Sequence, residues 1–410
     1  MQIRGSKRYF YIFAQFAGTL TARVYTAASM FAISIVSARL LTVESRGELA
    51  MYLNLFNIIS LFVGLSLWDV VFHKKMMQVE ADKIWYSSLI IFPICMFAGV
   101  VFSFMILEDV NLINRIGASL GISLAAGMQV VEFVARSVSI RGSKLNNYNF
   151  ASIVGRTVTL VLTFASLAVA RSPFHVVLSI ACGLIIIILM SVQSSASELF
   201  LKMKWGDFIS MLKYALPIHM GLVAAATMSQ LDQLIIGISS SKVELALYQV
   251  AAQVLISISI LPQTISSMTY SSLSTSQTDG RNIIAFALGM SIVIAGIFCL
   301  TLTYFSNNII YIIFGGEYSA ASRYLSVLSF SSFGIVSMAL FAPLWVTSGA
   351  VRINSLITGL VSVLFLSANI LIVPNYGAMG ASYVSACSYS IIFIFNMVYW
   401  YRIWAGGGIK

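Results

Sequence analysis

Residues 283–305 read IIAFALGMSIVIAGIFCLTLTYF, a stretch of 23 residues that contains no charged side chain. A helix rises about 1.5 Å per residue, so a helix of this length spans a hydrocarbon core of about 30 Å. The apolar residues are continuous and do not alternate with polar ones, which argues against a transmembrane β-strand. The stretch therefore predicts a membrane-spanning helix.

Twelve predominantly apolar blocks of similar length occur along the 410 residues. They lie near residues 11–38, 48–70, 84–106, 113–137, 150–170, 174–194, 214–238, 243–266, 283–305, 324–348, 353–373 and 379–402. Hydrophobic residues make up 59% of the chain and charged residues 9%, against about 45–50% and about 25% in soluble domains. This composition excludes a soluble enzyme. The prediction is an all-α, polytopic membrane protein of about 12 transmembrane helices.

Positive charges are distributed unequally between the two predicted sides of the membrane. If the N-terminus is inside, 16 of the 24 Lys and Arg residues fall in cytoplasmic segments and six in outer loops. Cytoplasmic loops carry the excess of Lys and Arg in membrane proteins, so both termini are predicted to be cytoplasmic. Because this distribution accounts for the net charge of +10, a nucleic-acid partner is not expected.

Two similar segments open the second and the eighth predicted spans. Residues 45–52 read SRGELAMY and residues 241–248 read SKVELALY, with five identities. In both segments a serine precedes a glutamate by three positions, the spacing of a helix-capping box, so we interpret Ser45 and Ser241 as N-caps. The offset of six spans predicts two parallel six-helix halves around a central cavity. The predicted parts are an N-terminal bundle (1–194), a cytoplasmic linker (195–213) and a C-terminal bundle (214–410).

Ionisable side chains inside the predicted spans are costly, which makes each one a candidate functional residue. Arg23, near the middle of the first span, either lines a polar cavity or makes a buried structural contact. Arg156, in the fifth span, either lines the cavity or reaches the cytoplasmic surface. Asp232, in the seventh span, either couples transport to an ion or pairs with a buried arginine. Glu132 precedes Arg136 by four residues in the fourth span, the spacing of an ion pair on one helix face.

The sequence contains no phosphate-binding loop and no metalloprotease or hydrolase motif. The four cysteines lie in predicted spans without metal-ligand spacing. We therefore expect no catalytic residue, no metal site and no cofactor, with H⁺ or Na⁺ as the candidate coupling ion. A cavity with a deep arginine fits an anionic or phosphate-bearing substrate, because a guanidinium donates paired hydrogen bonds to phosphate.

Four stretches together resemble bacterial polysaccharide flippases of the Wzx type. The proline, aspartate and glycine that this family commonly carries in its seventh span fall here on Pro217, Asp232 and Gly237. The resemblance extends over most of the chain in order and spacing. It places the chain in the multidrug/oligosaccharidyl-lipid/polysaccharide exporter superfamily, with MATE multidrug exporters and lipid II flippases. The stretches are ISIVSARLLTVESRGELAMY (33–52), LKYALPIHMGLVAAATMSQLDQLIIG (212–237), IIYIIFGGEYSAASRYL (309–325) and PNYGAMGASYVSACS (374–388).

This resemblance implies a MATE-like fold and a function. The implied function is to move an oligosaccharide repeat unit, such as an O-antigen unit on undecaprenyl pyrophosphate, between leaflets of the bacterial inner membrane. Movement from the cytoplasmic to the periplasmic leaflet would occur by alternating access. Besides the lipid bilayer, the implied partners are a polysaccharide polymerase and chain-length proteins. The predicted substrate-binding residues are Arg23, Arg156, Asp232 and Glu132, with the two arginines attracting the pyrophosphate or an acidic sugar.

Two other functions stay open. A MATE-type exporter of cationic amphiphiles, coupled to a cation, would need acidic groups in its cavity, whereas the deepest charge here is an arginine. A membrane-bound glycan polymerase or ligase would need a large charged outer loop. The largest predicted outer connection, residues 306–323, contains only Glu317 and Arg323 as charged residues.

Overall fold

The structure is a computed structural model that describes residues 2–66, 81–108, 110–141, 145–193, 205–274 and 280–406. In these ranges the regular secondary structure is helical, which confirms the all-α prediction. Gly316–Tyr318 form a short 3₁₀ helix. The α-helices are α1 (Gln2–Leu40), α2 (Val43–Val63), α3 (Ala81–Ile106), α4 (Leu112–Arg141), α5 (Leu145–Ala170), α6 (Pro173–Gln193), α7 (Trp205–Ser239), α8 (Lys242–Ser257), α9 (Ile260–Ser274), α10 (Gly280–Phe314), α11 (Ala321–Leu328), α12 (Ser331–Thr347) and α13 (Val351–Ala405).

Helices α1 to α7 correspond one to one to the first seven predicted spans. Over the described part of the chain, nine helical stretches are long and apolar enough to cross a membrane, and the bent pair α11 and α12 is a candidate tenth. Helix α13 has 55 residues, a length of about 80 Å, which is too long for one crossing. It is broken at Gly377, between the eleventh and twelfth predicted spans. The total of twelve spans stays a prediction.

The outer surface of the helices is apolar. Phe97, Val169 and Leu371 expose 75%, 89% and 72% of their side chains. Exposed apolar side chains of this size are unfavourable in water and favourable against lipid chains. The surface therefore agrees with a multi-pass membrane protein.

Two glycines allow α5 and α6 to pack closely. A Cβ atom on Gly155 would lie 2.6 Å from the carbonyl oxygen of Gly183, and a Cβ on Gly183 would lie equally close to the carbonyl oxygen of Gly155. Small residues at such positions let helix backbones approach each other in a membrane. The contact fixes α5, the helix that carries Arg156, against its neighbour.

Helices α1 and α5 run parallel to each other. The Asn149 side-chain amide donates a hydrogen bond to Thr19 Oγ1 (3.1 Å). Farther along both helices, the Tyr25 hydroxyl lies 2.5 Å from Thr157 Oγ1. The residue numbers of the contacts rise in the same direction along both helices, so the helices are parallel. The first and fifth spans are expected to be parallel, because successive spans cross the membrane in alternating directions.

A comparable parallel pair occurs six spans later, between α7 and the first part of α13. The Ser362 hydroxyl donates to the Ala224 carbonyl oxygen (2.7 Å). Met228 and Phe365, farther along the two helices, share one buried cluster. This recurrence supports the two-half repeat inferred from SRGELAMY and SKVELALY.

By its internal contacts the chain divides into two compact units, Met1–Val223 and Ala224–Lys410. The first part of α7 belongs to the first unit, where His219 Nδ1 lies 3.2 Å from Ser66 Oγ. Residues 195–204 of the predicted linker lie outside the described residues, and residues 205–213 are part of α7. The predicted domain limits, 1–194 and 214–410, stay a prediction.

The two capping serines differ in the structure. Ser241 caps α8 as predicted, because its hydroxyl accepts a hydrogen bond from the Glu244 amide (3.1 Å). For α2 the prediction is wrong. Thr42 adopts the extended cap conformation and accepts from the Ser45 amide (3.2 Å), so α2 begins earlier and Ser45 lies in its first turn.

Glu244 lies on α8 and caps the second part of α13. Its carboxylate accepts a hydrogen bond from the Ala378 amide (3.2 Å), directly after the break in α13. The free amides at the start of a helix favour a carboxylate. Gly377 has a φ angle of 55°, and a Cβ atom there would lie 2.3 Å from the Glu244 carboxylate. The break therefore requires glycine on two independent grounds.

We expect Gly377→Ala to destabilise the protein by about 2 kcal/mol, because alanine at this φ is strained and its methyl group would displace Glu244. The measurement is thermal unfolding of the detergent-solubilised chain. Gly359→Ala in the same helix is the matched control, since a Cβ there meets no atom within 4 Å. Equal melting temperatures for the two variants would contradict this account of the break.

Candidate functional site

A polar cluster in the first unit joins α1, α4 and α5. Glu132 of α4 is buried, and its carboxylate accepts hydrogen bonds from the Tyr148 hydroxyl and from Gln129 Nε2 (2.8 Å). Tyr148, at the start of α5, is buried as well. Neutral donors from two helices therefore stabilise this carboxylate.

The predicted ion pair between Glu132 and Arg136 does not form. Among the described residues, no salt bridge joins Arg136 to a carboxylate, and the Glu132 oxygens are taken by Gln129 and Tyr148. The physical reason is that Tyr148 lies on α5. Its hydrogen bond holds the Glu132 carboxylate toward α5 and away from the next turn of α4, which carries Arg136. Arg136 remains half-buried in the same region.

Arg23 is exposed at a position inside the candidate span Gly18–Leu40 of α1. It lies within electrostatic range of Arg136 and Tyr148. The alternative of a buried structural contact is not supported, because the side chain is not buried. A guanidinium exposed at this depth is costly against lipid, so the position favours a water-filled surface.

Arg156 of α5 is half-buried against α1. Its Nη1 lies 3.8 Å from the sulfur of Met30, a weak acceptor. Its Nε is buried and has no hydrogen-bond partner in the described part of the protein. Most of its hydrogen-bond donors are therefore available to a further group. The contact with α1 favours the alternative in which Arg156 lines the cavity over the one in which it reaches the cytoplasmic surface.

A second polar cluster surrounds Asp232 in the second unit. The Tyr248 hydroxyl (2.5 Å) and the Ser385 hydroxyl (3.4 Å) both donate to its Oδ2. Its Oδ1 accepts from the following backbone amide of Gln233 (2.8 Å). Tyr389 lies within electrostatic range. Asp232, Tyr248 and Ser385 are buried, so α7, α8 and the second part of α13 meet at this carboxylate.

The alternative in which Asp232 pairs with a buried arginine is not supported. In the portion of the chain that the structure describes, the groups that interact with Asp232 are hydroxyls and a backbone amide, and none is cationic. A buried carboxylate surrounded by neutral oxygens attracts a proton or a small cation. The chemistry of the cluster therefore fits the ion-coupling alternative.

Several residues at the two clusters were not candidates from sequence. Tyr148, Tyr248 and Ser385 were missed, because uncharged polar residues are common in apolar helices. The repeat contained a signal for Tyr248, since it conserves a tyrosine four residues after each glutamate. Arg46, one of the six Lys and Arg residues predicted in outer loops, is 1% exposed, and its Nη2 donates to Ser34 Oγ (3.0 Å).

The tyrosines of the two repeat segments donate to different acceptors. Tyr52 donates to Glu48 on its own helix, whereas Tyr248 donates to Asp232 on the preceding helix. The difference follows from Glu244, which is engaged by the Ala378 amide and leaves Tyr248 without an acceptor on α8. The second unit thereby gains a tyrosine at its buried carboxylate.

Comparisons with known proteins give one family and one fold. A family model described as "Polysaccharide biosynthesis protein" matches residues 36–323. No curated protein matches the chain in sequence.

The fold occurs in several solved structures. A lipid II flippase, MurJ, in an inward closed conformation is 14% identical, with a TM-score of 0.75 over 95% of this chain and 87% of that chain. An inward-facing MATE multidrug resistance transporter of the MOP superfamily is 13% identical, with a TM-score of 0.70 over 93% and 95%. A MOP superfamily transporter from Pyrococcus furiosus is 11% identical, with a TM-score of 0.62 over 95% and 94%. The predicted MATE-like fold is thus confirmed.

Proposed function

The chain belongs to the polysaccharide biosynthesis protein family, and on that premise we propose that it is a flippase for a lipid-linked oligosaccharide. The substrate is an oligosaccharide repeat unit, such as an O-antigen unit, attached to undecaprenyl pyrophosphate. It passes from the cytoplasmic to the periplasmic leaflet of the bacterial inner membrane by alternating access, with both termini of the protein in the cytoplasm. A polysaccharide polymerase and chain-length proteins then use the transferred unit.

The observation that carries this proposal is the group of arginines in the first unit. Arg23, Arg136 and Arg156 lie on helices α1, α4 and α5, and no carboxylate forms a salt bridge with them in the described ranges. Cations without such partners at a membrane depth need an anion. A pyrophosphate supplies it through charge-assisted hydrogen bonds to the guanidinium groups. We assign the pyrophosphate or an acidic sugar to Arg23 and Arg156.

The two buried carboxylates take different parts in the proposal. Glu132 is not assigned to the substrate, because Tyr148 and Gln129 occupy its oxygens. Asp232 is assigned to coupling with H⁺ or Na⁺, since its surroundings are hydroxyl oxygens. Substrate recognition then belongs to the first unit and ion coupling to the second.

A cation-coupled multidrug exporter is the second candidate function. Asp232 is the observation that favours it, because a buried carboxylate also suits a cationic drug. The arginines oppose it, since they repel cations in the first unit. Both functions agree with the fold, which is shared by a flippase and by multidrug transporters.

Deletion of the gene distinguishes the flippase from the multidrug exporter. We expect loss of the surface polysaccharide ladder together with accumulation of lipid-linked repeat units that face the cytoplasm. Reintroduction of the intact gene should restore the ladder. An intact ladder with altered sensitivity to cationic drugs would contradict the flippase and support the exporter. Loss of the repeat units themselves would indicate a sugar-building enzyme.

A further inference from the structure

Glu132 is the carboxylate that lies nearest in sequence to Arg136, one helical turn away on α4. At this spacing a glutamate and an arginine share a helix face and attract each other. The structure instead turns Glu132 toward the Tyr148 hydroxyl and the Gln129 amide. One donor on α4 itself and one on α5 together outweigh the local attraction.

The consequence is a pair of like charges. Arg23 and Arg136 lie within electrostatic range of each other, and Tyr148 lies within range of both. In the part of the chain that the structure describes, neither guanidinium forms a salt bridge. Two cations within electrostatic range of each other repel when alone and are stabilised by an anion that carries two charges.

Tyr148 is placed to maintain this arrangement. Its hydroxyl is buried with Glu132, and the adjacent Asn149 bonds to Thr19 on α1, one turn before Arg23. The start of α5 is therefore fixed against both helices that carry the arginines. A hydroxyl fixed in this way holds the carboxylate at one place.

We propose that Tyr148 is a positioning residue for the substrate: its hydrogen bond keeps Glu132 from pairing with Arg136, so that the Arg23 and Arg136 guanidinium groups can bind a diphosphate. The assignment rests on the proposed function and adds Arg136 to the arginines that receive the pyrophosphate. Without the hydroxyl, Glu132 turns along α4 and pairs with Arg136. The carboxylate then competes with the substrate for the same cation.

The test uses inorganic pyrophosphate and the full-length chain in detergent, with binding measured by the shift in thermal unfolding. Tyr148→Phe is expected to weaken apparent pyrophosphate affinity about tenfold. In a Glu132→Gln parent, where no carboxylate is left to compete, the same substitution should change the affinity by less than about twofold. Tyr52→Phe removes an equivalent hydroxyl from Glu48 and is the matched control.

Gln129→Leu gives a second route if Tyr148→Phe alone does not fold. It removes the other donor to Glu132, and its effect should also disappear in the Glu132→Gln parent. Absence of pyrophosphate binding by the unaltered chain overturns the proposal. A tenfold loss that persists with glutamine at position 132 also overturns it, because Tyr148 would then act by packing alone.

The two proposals fail separately. If the pyrophosphate pattern holds and the chain does not transfer lipid-linked oligosaccharide in vesicles, the flippase function fails and the role of Tyr148 stands. If transfer occurs and the coupling between Tyr148 and Glu132 is absent, the positioning role alone is lost.

Discussion

Arg23→Ala is expected to reduce surface polysaccharide by roughly thirtyfold while the protein remains in the membrane at normal abundance. The guanidinium lies within the first candidate span, and we propose that it contributes charge-assisted hydrogen bonds worth about 2 kcal/mol to a bound diphosphate, which corresponds to that factor. Arg23→Lys should retain part of the function, because an ammonium group keeps the charge and loses the paired geometry. The readout is the polysaccharide ladder in a deletion strain that carries each variant.

Arg352→Ala is the matched control for Arg23. Arg352 is also exposed, but it is the second residue of α13, whereas Arg23 lies well inside α1. Its removal should leave the ladder intact. Unchanged polysaccharide with Arg23→Ala at normal protein abundance would reject the role of this arginine in substrate recognition.

Asp232→Asn is expected to abolish the dependence of transfer on an ion gradient. The carboxylate is buried among the Tyr248 and Ser385 hydroxyls, and an amide in its place cannot be protonated and binds a small cation far more weakly. In vesicles, the variant should transfer substrate at the same rate with and without a proton or sodium gradient. The unaltered chain should be accelerated by one of the two gradients.

Glu317→Gln is the matched control for this variant. It makes the same change from carboxylate to amide at an exposed site in the 3₁₀ helix between α10 and α11. Its gradient response should equal that of the unaltered chain. A full gradient response in Asp232→Asn would reject Asp232 as the coupling residue.

The apolar blocks were sufficient to predict α1 to α7, because burial in lipid requires a long apolar stretch wherever the chain crosses, but they did not predict the breaks between α8 and α9 and between α11 and α12. Helices α1 to α7 correspond one to one to the predicted spans, although α1 and α7 each begin nine residues before the predicted start. The break in α13 at Gly377 was predicted as two separate spans, since PNYG interrupts the apolar pattern there. Thr42 displaced Ser45 as the cap because both residues can accept the same kind of hydrogen bond, and only the backbone conformation decides between them.

Only the charged residues of the site could be predicted from the sequence. Arg23, Arg156, Glu132 and Asp232 can be identified in apolar spans because an ionisable group within the membrane is costly. The partners of the carboxylates depend on which side chains other helices bring near. Tyr148 and Tyr248 each lie 16 residues from the acid they contact, a separation that no helical periodicity predicts.

The most direct measurement is transfer of a lipid-linked oligosaccharide by the purified chain in proteoliposomes. Repeat units on undecaprenyl pyrophosphate are extracted from the producing cells and labelled in the sugar. They are placed in both leaflets of the proteoliposomes, and a membrane-impermeant glycosidase removes the label from the outer leaflet. The account predicts that the unaltered chain exposes the protected half of the label within minutes and that Arg23→Ala vesicles keep it protected. Continued protection by the unaltered chain, together with uptake of a cationic dye, would contradict the flippase.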